Sequence, residues 1–102
     1  MDHYSITYTE LSEHLESNHE GVSKIIDVRQ ARDFRRHTLE GAVNIPLEEL
    51  SQHIQALKSP SLIVLFCNGG GKSKRGVKML REKGLENVYY LEGGIKGTRK
   101  QT

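Results

Sequence analysis

One stretch of the sequence combines the residue types needed for nucleophilic and anion-binding chemistry. Residues 66–73 are FCNGGGKS and include Cys67, the only cysteine of the chain. The thiolate is the reactive form of cysteine, and its pKa falls near a helix N-terminus or a lysine. Consecutive glycines let the backbone curve so that several N–H groups converge on one anion. The pattern predicts a cysteine nucleophile inside an anion-binding loop.

The same residues imitate the end of a nucleotide-binding P-loop, which has the pattern G-x-x-x-x-G-K-[ST]. Counted back from Gly71, the first glycine of that pattern should occupy position 66, where the chain has Phe66. No acidic strand end suited to a metal follows Leu85. We therefore interpret the stretch as a thiol site and not as a nucleotide site.

Length and composition restrict the kind of protein that holds this site. The chain has 102 residues, a formal net charge of +2 and 35% hydrophobic residues, which suits one compact domain. A single cysteine excludes an internal disulfide framework, a CxxC redox pair and a cysteine-rich zinc site. No apolar run is long enough to span a bilayer and the N-terminus lacks an apolar signal region, so we expect a cytoplasmic protein.

Apolar spacing places the cysteine between a buried strand and a helix. Residues 62–66, LIVLF, do not alternate with polar residues, which indicates a strand covered on both faces, as in a parallel sheet. Residues 73–83 have helical spacing, and Gly84 is the expected C-cap. Ligands of open α/β sheets bind beyond the carboxyl ends of the strands, which is where Cys67 falls.

Shorter elements on either side complete an α/β pattern. Thr7 and Glu10 form a capping box that predicts the start of a first helix. The other predicted elements are strands at residues 25–28, 42–45 and 87–91 and helices at residues 31–36 and 47–57. Helices that alternate with buried strands predict an α/β fold with a mainly parallel sheet.

Several motifs in the right order resemble the rhodanese homology domain, the small sulfurtransferase type. Residues 26–29, IDVR, resemble the family's first signature. Residues 34–46 resemble the segment F-x-x-G-H-I-x-G-A-x-N-I-P, and residues 67–73 resemble the active loop C-x-x-G-x-[RK]-S. Residues 84–94 resemble the last strand and turn, so that the resemblance extends over about residues 6–95.

Two departures from the family pattern stand out. His37 and Thr38 occupy positions where glycine and histidine are usual, which alters a turn of the scaffold. The family commonly continues past its double glycine with a tryptophan and a further helix, and this chain shows neither. We expect one domain over residues 1–102, in which residues 96–102 form a flexible basic tail.

The resemblance implies a three-layer fold, with about five short, mainly parallel strands between helices, and sulfurtransferase activity without a metal or organic cofactor. Cys67 would take a sulfane sulfur from a small anionic donor such as thiosulfate, a polysulfide or a protein persulfide. Its persulfide would pass the sulfur to cyanide, a thiol or a protein acceptor. We expect a monomer that binds neither nucleic acid nor membranes.

Each residue of the predicted site has an expected role. Cys67 is the nucleophile, and the backbone N–H groups that follow it bind the persulfide anion. Lys72 holds the anionic donor or lowers the thiol pKa, and Ser73 caps the helix and offers a hydroxyl donor. Arg29, at another strand end, bonds mainly within the scaffold and is a secondary candidate for donor binding. The predicted site is Cys67, Asn68, Gly69, Gly70, Gly71, Lys72, Ser73 and Arg29.

Other activities of the same fold stay open. The resemblance implies that the related phosphatases have an arginine six positions after the cysteine, in a loop one residue longer. That position is Ser73 here, and an arsenate reductase would usually need a second cysteine as well. Rhodanese-like domains also serve as sulfur carriers or as regulatory and docking modules, the latter often with the cysteine replaced.

Overall fold

A computed structural model describes residues 4–17, 23–58 and 62–99. Over these ranges the strands are Ser5–Ile6 (β1), Ser23–Asp27 (β2), Val43–Asn44 (β3), Leu62–Phe66 (β4) and Val88–Leu91 (β5). The α-helices are Tyr8–Ser17 (α1), Ala31–Arg36 (α2), Gly71–Glu82 (α3) and Gly94–Arg99 (α4), and the 3-10 segments are Leu47–His53 and Ala56–Lys58. None of the helices in these ranges has the length and apolar character that crossing a membrane requires.

The strands form one parallel sheet in the order β1-β5-β4-β2-β3. The register pairs Asp27 of β2 with Phe66 of β4, so these two neighbouring strands end at the same level. Arg29 and Cys67 follow these strand ends and therefore lie at the same edge of the sheet. The predicted α/β class and the mainly parallel sheet are confirmed.

Strand β4 separates two hydrophobic clusters, because its side chains alternate between the two faces of the sheet. Ile63 and Leu65 pack with Val77 and Leu80 of α3 on one face. The cluster on the opposite face comprises Leu11, Ile25, Leu62, Val64, Phe66, Leu91 and Ile95. Every residue of β4 is buried, as its uninterrupted apolar run predicts.

The first helix begins as the sequence predicts. The Thr7 N–H donates to Glu10 Oε1 at 2.9 Å, and the Glu10 N–H donates to Thr7 Oγ1 at 3.1 Å, which is a complete capping box. Strand β1 lies just before it and pairs with β5. Strand β1 was not predicted, since a strand of two residues is too short to show a periodic pattern.

Other elements also differ from their predicted bounds, β2 and β5 by one or two residues at their ends. Residues 47–57 form 3-10 segments instead of one α-helix, because apolar residues three apart fit either helix type. Strand β3 is shorter than predicted, since only Val43 and Asn44 pair with β2. Helix α3 begins at Gly71, inside the predicted loop.

The end of the chain departs most from expectation. Residues 96–102 were expected to form a flexible tail, whereas Gly94–Arg99 form helix α4, and residues 100–102 lie outside the described ranges. The φ angles of Gly93 and Gly94 are +78° and +61°, which turns the chain sharply after β5. Ile95 then packs into the core with 1% of its surface exposed, and this burial holds the helix.

Candidate active site

The cysteine loop, residues 67–73, connects the carboxyl end of β4 to the first turn of α3. Cys67 is 4% exposed. Gly70 has a φ of +121°, a conformation that residues with a Cβ rarely adopt. The chain turns back at this glycine, and the Gly70 N–H donates to the Cys67 sulfur at 3.0 Å.

Ser73 is fully buried beneath the loop, next to the cysteine. Its Oγ lies 3.5 Å from the Cys67 sulfur and donates to the Gly70 carbonyl at 3.1 Å. That carbonyl also accepts from the Lys74 N–H at 3.0 Å, so it keeps a partner if the hydroxyl turns away. The hydroxyl can therefore accept from a thiol and, after a rotation, donate to a thiolate.

The pKa of the Cys67 thiol results from two opposing effects. Burial, the largest single effect, raises the pKa because it disfavours the charged thiolate. Hydrogen bonds from the Ser73 hydroxyl and from the backbone N–H groups of Ser73, Gly70 and Lys72 lower it. Together these donors outweigh burial, and the pKa lies below that of an ordinary cysteine.

Lys72 acts on the thiol through its backbone N–H, which lowers the pKa of Cys67. Its side chain is exposed and lines the cavity in front of the cysteine. The ammonium charge lowers the pKa of Glu48, after the larger effects of a hydrogen bond from Gln30 at 3.0 Å and of the Glu48 backbone N–H. The backbone N–H of Lys72 thus acts on the sulfur, while its side chain lies at the cavity.

Arg29 is 7% exposed and uses most of its donors within the protein. Its Nε and Nη2 donate to the Asp27 carboxylate at 3.0 and 2.8 Å, and Nη2 also donates to the His37 carbonyl. Its Nη1 donates to Asn68 Oδ1 at 3.2 Å. The hydrogen bond to Asp27 is the main reason that the pKa of Arg29 is raised, so the side chain stays charged.

A cavity of about 430 Å³ opens in front of the cysteine. It is lined by Arg29, Asp33, Cys67, Asn68, Gly69, Gly71, Lys72 and Arg75. Most of the predicted site residues therefore share one cavity, while Gly70 and Ser73 lie behind the sulfur. Asp33 was not among the predicted site residues, although the first turn of a helix that follows a strand end faces this edge of the sheet.

Helix α4 contacts the cysteine loop, a contact that the sequence analysis also missed. The Ile95 N–H donates to the Cys67 carbonyl at 2.8 Å, and the Lys96 N–H donates to the Asn68 carbonyl at 3.1 Å. Gly94 is buried directly against these two carbonyl groups. Backbone contacts between segments this far apart leave no pattern in the sequence.

These observations define an α/β domain in which a polarised cysteine lies at the carboxyl edge of a parallel sheet. The family model for the rhodanese-like domain matches residues 7–101. The chain therefore belongs to the rhodanese-like domain family, and the resemblance seen in its motifs is confirmed.

Two relatives show how far the similarity extends. The Bacillus subtilis protein YqhL is 34% identical over 74 residues, which cover 72% of this chain and 59% of YqhL. A tRNA uridine(34) hydroxylase from Bdellovibrio bacteriovorus is 34% identical over 82 residues, which cover 76% of this chain and 23% of the hydroxylase. The chain thus spans about three fifths or less of the length of these relatives.

The fold also matches solved structures. The human single-domain sulfurtransferase TSTD1 superposes with a TM-score of 0.83 at 24% identity, over 99% of both chains. A rhodanese-like domain protein from Staphylococcus aureus gives a TM-score of 0.81 at 26% identity, over 92% of this chain and 89% of that one. At these identities the likeness to TSTD1 supports the fold alone.

Proposed function

We propose that the protein is a sulfurtransferase that moves a sulfane sulfur from an anionic donor to a thiol through a persulfide on Cys67. The observation that supports this most directly is the set of N–H and O–H donors around a buried cysteine whose pKa they lower. The thiolate is available for attack, and the same donors can stabilise the sulfur anion that replaces it.

The first step is an attack by the Cys67 thiolate on the outer sulfur of a donor such as thiosulfate. A sulfur–sulfur bond forms to Cys67, the sulfur–sulfur bond of the donor breaks, and sulfite leaves with the electron pair. The new terminal sulfur is an anion in front of the loop. Lys72 and Arg75, which line the cavity, supply positive charge near the leaving sulfite.

The second step returns the enzyme to its starting state. An acceptor thiolate attacks the terminal sulfur, and the sulfur–sulfur bond to Cys67 breaks. Cys67 leaves as a thiolate, which the Gly70 N–H and the Ser73 hydroxyl stabilise again. Neither step requires a metal or an organic cofactor, since each one exchanges one sulfur–sulfur bond for another.

The Cys67 site suits a small sulfur-donating anion better than a phosphate ester. A phosphatase of this fold would need an arginine at position 73, whereas Ser73 is fully buried against the loop backbone. We therefore expect no hydrolysis of p-nitrophenyl phosphate. We also propose a monomer that works in the cytoplasm, where a lone free thiol such as Cys67 remains reduced.

Mass spectrometry of the intact protein tests the proposal. Incubation with thiosulfate, a polysulfide or a protein persulfide should add the mass of one sulfur atom, and Cys67→Ser should abolish the gain. If none of these donors adds sulfur to the wild type, the proposed activity is wrong. Release of the sulfur to cyanide or a thiol with repeated turnover indicates an enzyme, and a stable persulfide without turnover indicates a sulfur carrier.

A further inference from the structure

The backbone of the cysteine loop has its carbonyl groups on the side of α4 and its N–H groups on the opposite side. The carbonyl groups of Cys67 and Asn68 accept hydrogen bonds from the first turn of α4. In a planar trans peptide the N–H points opposite to the C=O. The N–H groups of Asn68 and Gly69, which share those two peptide planes, must therefore point away from α4.

The cavity lies on the side to which these N–H groups point. Asn68 and Gly69 line the cavity, whereas none of its lining residues belongs to α4. Among the described residues the N–H groups of Asn68 and Gly69 have no hydrogen-bond acceptor in the protein. Two backbone donors thus face a cavity that also contains the side chains of Lys72 and Arg75.

Gly94 permits this arrangement for two independent reasons. Its φ of +61° lies in the left-handed region that favours glycine. A Cβ at this position would lie 2.5 Å from the Cys67 carbonyl oxygen and closer still to the Asn68 carbonyl oxygen. These are backbone atoms of the loop, so a side chain at position 94 would have to displace either the loop or α4.

We propose that Gly94 is a positioning residue and that the first turn of α4 aims the Asn68 and Gly69 N–H groups at the anionic donor. The N–H groups that contact the Cys67 sulfur come from the other part of the loop, residues 70–73. The two sets of N–H groups therefore have separate roles. Those of residues 70–73 contact the sulfur, and those of Asn68 and Gly69, oriented by α4, bind the incoming anion. The inference rests on the proposed function only for the identity of that anion.

A titration of the wild type with sulfate tests the orientation of the Asn68 and Gly69 N–H groups without any chemical reaction. We expect added sulfate, an unreactive divalent anion, to shift the NMR signals of the Asn68 and Gly69 amides strongly. The amides of Ile95 and Lys96 should exchange slowly with solvent, since both donate to the loop. The proposal is wrong if the loop amides do not respond to sulfate, or if the α4 amides exchange as fast as in an unstructured peptide.

Gly94→Ala tests the positioning role, with Gly84→Ala as its matched control. Gly84 also has a positive φ, +98°, and a Cβ added there would have no neighbour within 4 Å, so that variant strains the backbone without touching the loop. We expect Gly94→Ala to slow sulfur loading from thiosulfate by about 10- to 100-fold. This is less than the roughly 100- to 1,000-fold cost of removing an oxyanion donor, because the N–H groups are displaced and not lost. Alkylation of Cys67 by neutral iodoacetamide should change less than about threefold, since the donors to the sulfur remain.

A second pair of variants applies if Gly94→Ala does not fold. Ile95→Pro removes the N–H that donates to Cys67, at a first-turn position where proline is tolerated. Ile95→Ala loses the same buried side chain and keeps that N–H. We expect only the proline variant to bind sulfate about tenfold more weakly, and equal binding by the pair would overturn the proposal. Because sulfate binding needs no sulfur transfer, this result stands even if the wild type forms no persulfide.

Discussion

At the scale of single residues, the reactivity of Cys67 follows from a balance that its local sequence only suggests. Burial alone would keep the thiol protonated, and the hydrogen bonds of the loop reverse that tendency. The helix N-terminus supplies the Lys72 and Ser73 N–H groups, and the turn at Gly70 supplies another. The Ser73 hydroxyl is the largest of the effects that lower the pKa, so the loop backbone and this side chain activate the cysteine together.

The pH dependence of Cys67 alkylation should report this lowered pKa. We expect the rate to rise through a midpoint at lower pH than for the same chain unfolded in urea, because the loop donors lower the pKa of the folded thiol. Because folding lowers the pKa, the thiolate stabilises the folded state above the unfolded pKa, and this contribution disappears as the pH falls through the folded pKa. Ser73→Ala should move the midpoint upward, and a folded wild-type midpoint at or above that of the unfolded chain would contradict the lowered pKa.

Lys72→Ala should separate donor binding from thiol activation. The variant keeps the backbone N–H that lowers the pKa of Cys67 and loses only the exposed ammonium group. We expect the KM for thiosulfate to rise several-fold, more at low than at high salt, while the alkylation profile stays unchanged. Lys78→Ala, an exposed position of the same helix outside the cavity lining, is the control. An unchanged KM would show that the Lys72 charge does not act on the donor.

At the scale of elements, α3 packs closely against the sheet because it has a glycine, Gly76, where it crosses β4. A Cβ on Gly76 would lie 2.8 Å from Leu65 Cδ1 and 3.0 Å from Leu50 Cδ1. The helix therefore packs its backbone against β4 and the first 3-10 segment. Because α3 begins at Gly71, this packing also holds the end of the cysteine loop near the sheet.

Gly76→Ala should destabilise the protein in spite of a better helix former. Alanine adds about 1 kcal/mol of helix propensity, whereas overpacking a dense core costs about 1–3 kcal/mol. We expect a net loss of about 1 kcal/mol in the free energy of unfolding, measured by urea denaturation. Lys78→Ala on the exposed side should change it by less than about 0.5 kcal/mol. A stabilised Gly76→Ala would mean that the leucine side chains move aside freely.

At the scale of the whole molecule, one buried carboxylate connects three parts of the fold. Asp27 is fully buried at the end of β2 and accepts hydrogen bonds from Arg29 and from Thr38 Oγ1. Its backbone carbonyl accepts from Asn44 of β3, and Arg29 extends the network to Asn68 of the cysteine loop. The Asp27–Arg29 ion pair thus holds the scaffold and the loop in one arrangement.

Arg29→Ala should be one of the most damaging substitutions in the chain. It leaves the Asp27 carboxylate buried without its cation, which typically costs about 3–5 kcal/mol. We expect a loss of that size in the free energy of unfolding, measured by urea denaturation. Arg32→Ala, at an exposed position of α2, should have almost no effect. A loss below about 1 kcal/mol for Arg29→Ala would show that the pair is not structural.

Most of the scaffold could be predicted from local patterns. The unbroken apolar run of β4, the capping box at Thr7 and the glycine that ends α3 each have a physical basis within a few residues of sequence. Short elements could not be predicted in the same way. Strands of two residues and 3-10 segments gain their stability from neighbours in space, not from a repeating pattern of their own.

The predicted nucleophile, the glycine-rich loop that follows it and the family membership are evident from the sequence, because each depends on residues that are contiguous in the chain. How the loop is held depends on the tertiary structure. The hydrogen bonds of Arg29 to Asp27 and Asn68, and those from α4 to the loop carbonyls, join residues brought together by the order of strands in the sheet. Such contacts depend on the register and packing of the whole domain, so no local pattern could reveal them.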